Sequence, residues 1–219
     1  MNIRGTPIIS AALVLGAFAL SGVGLVAWVY SGTADRIAES QRQTLLHTLE
    51  TLVPRESYDN DLSADVISVG AAVLGTAEPV PVYRARKQGE AVAVVIAATA
   101  PDGYNGEIRM LIAVHADGSL AGVRVTGHKE TPGLGDGIEL EKSNWIRGFD
   151  GLSLARPPER LWKVKRDGGA FDQFTGATIT PRAVVKAVKS VLRYAAVKWN
   201  DLIAPLPVAV QGRTAQSSR

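Results

Sequence analysis

Cysteine is absent from the 219-residue chain. That excludes disulfides, thiolate nucleophiles and iron–sulfur clusters ligated by the chain itself. Histidine is almost as scarce. His47, His115 and His128 are the three copies and stand far apart, so no zinc or other metal site is expected. A dense basic block is missing too. The net charge is +3 and the Lys and Arg residues are spread out with no interleaved aromatics, so no nucleic-acid partner is expected.

Charge is missing altogether between Thr6 and Tyr30. The run PIISAALVLGAFALSGVGLVAWVY is long enough to cross a hydrocarbon core of ~30 Å, and membrane lipid is its expected surrounding. A cleaved signal peptide has an apolar core of about 7–15 residues, shorter than this one. Ser31-Gly32-Thr33-Ala34 is small enough to be cleaved, so that alternative stays open. Trp28 and Tyr30 sit at the far end, where amphipathic rings favour the interface. Arg4 and the amino terminus precede the span, whereas Arg36 follows it and Asp35 counts for little. The expected orientation is a cytoplasmic amino terminus with the domain outside, in a single-pass inner-membrane protein.

Beyond the span, Ile37, Leu45, Leu46, Leu49, Leu52 and Val53 recur at helical spacing, which predicts a helix from Thr33 to Val53, capped by Thr33 or Asp35 and ended by Pro54. Strands are predicted at Val80–Arg86, Ala91–Ala98, Glu107–His115 and Leu120–Gly127, the last two joined by an Asp117-Gly118 turn. A second helix is expected at Ile138–Trp145 and a further strand at Leu161–Lys165. The final helix is the clearest, with Thr180 as N-cap, Pro181 in the first helical position, and Val184, Val185, Val188, Leu192, Ala195 and Trp199 on its apolar face. Gln211–Arg219 reads as a polar tail. The fold class is α+β, a small mostly antiparallel sheet with packed helices, preceded by one transmembrane helix. The chain divides into an amino terminus (1–6), an anchor (7–30), a linker helix (31–54), an extracytoplasmic domain (55–203) and a tail (204–219).

Three segments are richer in Gly, Thr and acidic residues than a plain core requires. Asp102–Glu107 reads as a turn leading into a strand. His128–Asp136 contains Pro132-Gly133-Leu134-Gly135, a loop whose backbone can approach a flat ligand, but it has neither the Walker nor the dinucleotide spacing. Asp172–Thr180 contains Asp172-Gln173-Phe174-Thr175-Gly176-Ala177-Thr178 just before the last helix. An anion on Thr178 would face free N–H groups and the positive end of the helix dipole.

Asp-x-x-Thr-Gly-Ala-Thr resembles the sequence to which a flavin transferase attaches FMN. With the single anchor, the Gly103-Tyr104-Asn105-Gly106-Glu107-Ile108 run and the Glu130-Thr131-Pro132-Gly133-Leu134-Gly135 loop in this order, the chain resembles the FMN-binding-domain family. Its nearest branches are the G subunits of Rnf ion-translocating electron transport complexes and, as the alternative, the C subunits of sodium-translocating NADH:quinone reductases. Thr-Gly-Ala-Thr favours the first branch. The resemblance implies covalent FMN on Thr178 through a phosphoester, with Thr175, Gly176, Ala177, Glu130, Thr131, Leu134 and Gly135 near the cofactor. Asp172, Gly176, Ala177 and Thr178 would be read by the transferase. It also implies an electron relay between ferredoxin and NAD chemistry inside a membrane complex. The partners would include a second flavinylated subunit and an iron–sulfur carrier, and no independent substrate turnover is expected. Two rival readings are a membrane-anchored adaptor without redox chemistry and a flavin reductase with its own substrate. The attachment motif argues against the first, and the absence of a convergent His, Cys or paired-carboxylate set against the second.

Overall fold

The computed structural model describes residues 6–70 and 72–204. Residues 1–5 and 205–219, including most of the expected amino-terminal and tail segments, lie outside the described residues. Helix α1 spans Thr6–Leu52 as one element of 47 residues. The anchor and the linker helix, expected as two helices, are therefore continuous. The reason lies in the side chains at the expected break. Thr33 does not cap a new helix, because its hydroxyl donates to the Val29 carbonyl at 2.8 Å, and Ser31 donates to Trp28 at 2.9 Å. Both are satisfied inside the preceding turn. From Ile8 onward α1 is long and apolar enough to cross a membrane, with a mean hydropathy of 2.2 over 18 residues. The chain separates into two compact units, one ending at His47 and one beginning at Thr48.

The second unit is built on a five-stranded antiparallel sheet whose spatial order is its sequence order: β1 Val66–Val69, β2 Val80–Lys87, β3 Glu90–Ala100, β4 Ile108–His115 and β5 Leu120–Gly127. Four of these strands match the predicted runs, and β1, a four-residue edge strand, was not anticipated. The β2–β3 connection is a two-residue turn with Gln88 and Gly89 both at positive φ, the primed geometry that suits strand twist. The β4–β5 turn is the expected one. Asp117 accepts from the Ser119 backbone at 2.9 Å and from its hydroxyl at 2.6 Å, and Gly118 has φ +81°. The registers Val82↔Ile96, Val94↔Val114 and Ile96↔Ile112 put these residues on one face. There they join a core with Val184, Val185, Val188, Leu192 and Ala195 of helix α2, which spans Ile179–Ile203 and packs on β3 and β4. The other face carries Ala93, Val95, Leu111 and Ala113, also buried. Leu49, Leu52, Val53, Tyr58 and Leu62 are buried as well, and a Cβ built at Gly122 would meet the Leu52 Cδ2 at 3.0 Å. Burial on both sides explains why β3 and β4 read as unbroken apolar runs rather than alternating ones.

The far end of α2 is held by two arginines from β2. Arg84, only 1% exposed, reaches the Ala204 carbonyl and Asp65, and Arg86 donates to Ile203 O at 2.7 Å and to Asp65 at 2.7 Å. Cations at a helix C-terminus complement its dipole and its unpaired carbonyls.

Between β5 and α2 the chain is irregular. The helix expected over Ile138–Trp145 is absent; Asp136–Ile138 and Trp145–Phe149 are separate 3-10 turns. Ser143 prevents the helix, since its hydroxyl donates to Gly137 O at 2.6 Å and accepts from the Trp145 N–H at 3.1 Å. The strand expected over Leu161–Lys165 is also absent. Val164 makes one isolated bridge to Phe171, and 3-10 turns at Glu159–Leu161 and Lys165–Asp167 flank it. What holds this segment is an aromatic cluster. Phe149 stacks on Phe171 with ring centroids 4.9 Å apart, Trp162 lies 5.0 Å from Phe171, and Trp145 meets Phe174 edge-on at 5.2 Å. Such pairs add about 0.5–1.5 kcal/mol each beyond their burial.

Candidate functional site

Thr178 is carried by a tight turn that feeds α2. The Ala177 N–H donates to Phe174 O at 3.2 Å, closing a four-residue turn over Phe174–Ala177. Gly176 occupies its third position with φ +81°, where any side chain would be strained. The glycine of the attachment motif thus has a conformational role before any recognition role. Thr178 occupies the N-cap position of α2 and Ile179 is the first helical residue. The sequence predicts Thr180 as the cap. The structure corrects this, because Thr180 is fully buried and gives its hydroxyl to the Glu130 Oε2. The Thr178 hydroxyl makes no capping bond either. It stands at a helix start whose first turn has no acidic residue and whose Ile179 and Thr180 N–H groups have no carbonyl partner in that turn.

The glycine loop converges on the same place. The Leu134 and Gly135 N–H groups both donate to Thr131 O, at 3.1 and 2.9 Å, and Gly133 turns the chain at φ +75°. Gly135 is required for a different reason. A Cβ there would lie 2.9 Å from the Glu130 Cβ and 3.0 Å from the Thr180 Oγ1. Glu130, 4% exposed, is the hub, with Oε2 taking the Thr180 hydroxyl and Oε1 accepting the Asn105 N–H at 3.0 Å. The Asn105 amide also donates to the Thr131 hydroxyl at 3.1 Å. His128 supports the loop from behind. Its Nδ1 accepts the Glu130 N–H at 3.0 Å, so the proton sits on Nε2, which contacts Glu139 at 2.5 Å.

Together these elements line one cleft of about 340 Å³, near the lower end of the range for small-molecule sites. Of the residues anticipated from sequence, Glu130, Thr131, Leu134, Gly135, Gly176, Ala177 and Thr178 line it, and Thr175 does not. Thr175 is exposed on the turn. Asp172 is exposed as well, paired with Lys165 at 2.6 Å, while its carbonyl accepts from the Trp145 indole at 2.9 Å. Sequence reasoning missed Tyr104, Asn105, Ile179 and the buried role of Thr180. The Asp102–Glu107 segment is a turn, as expected, but it also delivers Tyr104 to the cleft. Tyr104, Leu134 and Ile179 are 65, 48 and 43% exposed, so apolar surface rims the opening. A larger groove of about 430 Å³ between the β4–β5 turn and α2 contains none of the motif residues.

An ion pair lies beside the cleft, at the start of α2. The Arg182 guanidinium, in the first turn of α2, binds Asp167 through two hydrogen bonds of 2.6 and 2.9 Å and holds that carboxyl below the usual range. Among the described residues no group of three or more His, Asp or Glu is arranged to hold a metal. A hydroxyl without a capping bond at a helix start, helical N–H groups with no carbonyl partner in their own turn and an apolar-rimmed cleft fit a ligand with a phosphate at one end and a flat ring at the other.

Fold and site define a class, a small α+β domain with a ligand cleft at a helix start, preceded in the chain by a long apolar helix. Residues 103–193 match the FMN-binding domain family, and residues 1–52 match the family described as the RnfG N-terminal region. The chain is 55% identical over 195 residues to the G subunit of the ion-translocating oxidoreductase complex of Pseudomonas aeruginosa, covering 89% of this chain and 91% of the relative. It is 51% identical over 183 residues to the corresponding G subunit of Pseudoalteromonas atlantica (83% and 85% covered) and 47% over 182 residues to that of Vibrio cholerae (83% and 87%). The chain belongs to the family of G subunits of ion-translocating oxidoreductase complexes.

Proposed function

We propose that this chain is the electron-relay subunit of a membrane-bound ion-translocating ferredoxin:NAD oxidoreductase and carries FMN bonded covalently to Thr178. The observation that carries the reading is the state of the Thr178 hydroxyl. It projects at the start of α2 without a capping bond, in a cleft shared with the glycine loop. Thr178 would hold the phosphate through an ester oxygen, and the N–H groups of Ile179 and Thr180 would face its remaining charge. Thr131, Leu134 and Gly135 would line the ring or ribityl chain, and Glu130 would hold their loop. Gly176 and Ala177 keep the approach to the hydroxyl open. With the exposed Asp172 they are what a transferase would read. Bound FMN supplies one- and two-electron chemistry, and the protein's share is to hold, orient and tune it.

Such a subunit works by proximity. A covalent cofactor cannot diffuse, so other subunits must bring theirs close, including a second flavinylated subunit and an iron–sulfur carrier. The α1 span keeps the domain at the membrane and raises the effective concentration of those partners. In this reading residues 7–30 cross the inner membrane, the amino terminus is cytoplasmic and the domain from 55 to 203 is extracytoplasmic. The test replaces Thr178 with Ala in membranes containing the whole complex and the transferase. The expected result is loss of the fluorescent flavin band from this subunit on a denaturing gel, together with loss of ferredoxin-to-NAD electron transfer. Retention of both would refute the proposal.

A further inference from the structure

The 3-10 turn Lys165–Asp167 reaches the start of α2 through Arg166 and Asp167, which contact Thr178 and Arg182. Gly169 fixes its course, since a Cβ there would fall 1.9 Å from the Lys163 carbonyl oxygen. The bidentate Asp167–Arg182 pair then ties the turn to the first turn of α2. This arrangement has a consequence for charge. Asp167 is engaged by Arg182 and Asp172 by Lys165, so both carboxylates near the turn already have cations. Arg166 precedes Asp167 in sequence and forms an ion pair with neither carboxylate. Its backbone N–H donates to the Gln173 side chain at 3.3 Å, and among the described residues its guanidinium makes one polar side-chain contact, with the Thr178 hydroxyl at 3.5 Å.

At 3.5 Å this is a long contact for a neutral hydroxyl, at the outer limit of a hydrogen bond. It leaves room for a tetrahedral anion on that oxygen, to which a planar guanidinium offers two parallel N–H donors. We infer that Arg166 is the positioning residue that clamps the phosphate esterified to Thr178. The inference rests on the reading of Thr178 as the attachment site. It adds that the phosphate is held by two groups of donors, the helix start and Arg166, so that the tether is stiff where it leaves the protein. Arg166 is exposed, and its replacement leaves the core packing untouched.

Two probes test this on the full-length protein in detergent. The first installs phosphothreonine at position 178 and follows its phosphorus NMR signal through the second ionisation, near pH ~6 for a free phosphoester. A nearby cation favours the dianion. The titration midpoint should therefore rise in Arg166→Ala, rise further in Arg166→Glu, and stay closest to the wild-type value in Arg166→Lys. About 1 M salt should shrink these differences. Superimposable curves for the four proteins would overturn the inference. The second probe compares the phosphodiester signal of FMN-loaded wild type and Arg166→Lys with that of loaded Arg166→Ala or Arg166→Gln. A shifted, narrowed signal in the uncharged variants is expected, and identical signals would overturn the inference. If FMN is found elsewhere than on Thr178, the proposed function fails, while the phosphothreonine titration still reads Arg166 independently.

Discussion

Thr180→Val is the sharpest perturbation of the cleft's frame. Valine has nearly the shape of threonine, so the change removes one hydroxyl from a position that is 0% exposed. Its partner, Glu130 Oε2, is buried too, and the other carboxylate oxygen is already occupied by the Asn105 N–H. Removing the donor leaves a buried acceptor without a partner, at a cost of about 2 kcal/mol. In a domain of this size that lowers the unfolding midpoint by about 4–8 °C. Glu130→Gln should cost less, under about 1 kcal/mol, because the amide oxygen can face Asn105 while its NH₂ donates to a rotated Thr180 hydroxyl. In a Glu130→Ala background the unpaired acceptor no longer exists, and Thr180→Val should then cost no more than about 0.5 kcal/mol. Trp145 and Trp162 lie in the folded unit, so tryptophan fluorescence of the detergent-solubilised chain during heating reads each of these proteins. Equal costs of Thr180→Val in the two backgrounds would refute the argument, because the hydroxyl would then be acting independently of Glu130.

Three further expectations concern the framework. Asp65→Ala should destabilise the domain by about 3–5 kcal/mol, measured by denaturant unfolding, because it strands the buried Arg84 cation; Asp65→Asn should recover part of that. Gly169→Ala drives a Cβ into the Lys163 carbonyl and should cost about 2 kcal/mol or more, whereas Gly148→Ala, with open space around it, should be nearly silent. Arg182 holds the folded-state pKa of Asp167 below its unfolded value, so the pair's contribution is fully present above the ordinary carboxylate range and is lost as pH falls through the depressed value. The stability difference between wild type and Asp167→Asn should therefore be flat at neutral pH and shrink on acidification. A difference that widens in acid would contradict that assignment.

How much of the fold is legible in the sequence depends on how local each signal is. Strands β2–β5 were legible because long apolar runs and an Asp-Gly turn specify them within a few residues. Strand β1 was not, being four residues at a sheet edge with partial burial. A helix is expected over Ile138–Trp145, but Ser143 diverts the backbone with its own hydroxyl, a competition that the local sequence does not record. Thr33 and Thr180 both looked like caps. One bonds back into its own helix, and the other is claimed by Glu130 from 50 positions away. The cleft shows the same division. Thr178, Gly176 and the glycine loop were found through short motifs. Their convergence, the role of Asn105, and the placement of Arg166 beside Thr178 come from tertiary packing and left no local trace.

Peptide mass mapping decides whether FMN is bonded covalently to Thr178. The full-length protein is co-expressed with its flavin transferase, digested, and sequenced by fragmentation across Phe171–Arg182. The expected result is the added mass of FMN as a phosphoester, less one water, on Thr178, and no modification in the Thr178→Ala protein. FMN on Thr175 or Thr180, or an unmodified peptide despite an active transferase, would contradict it.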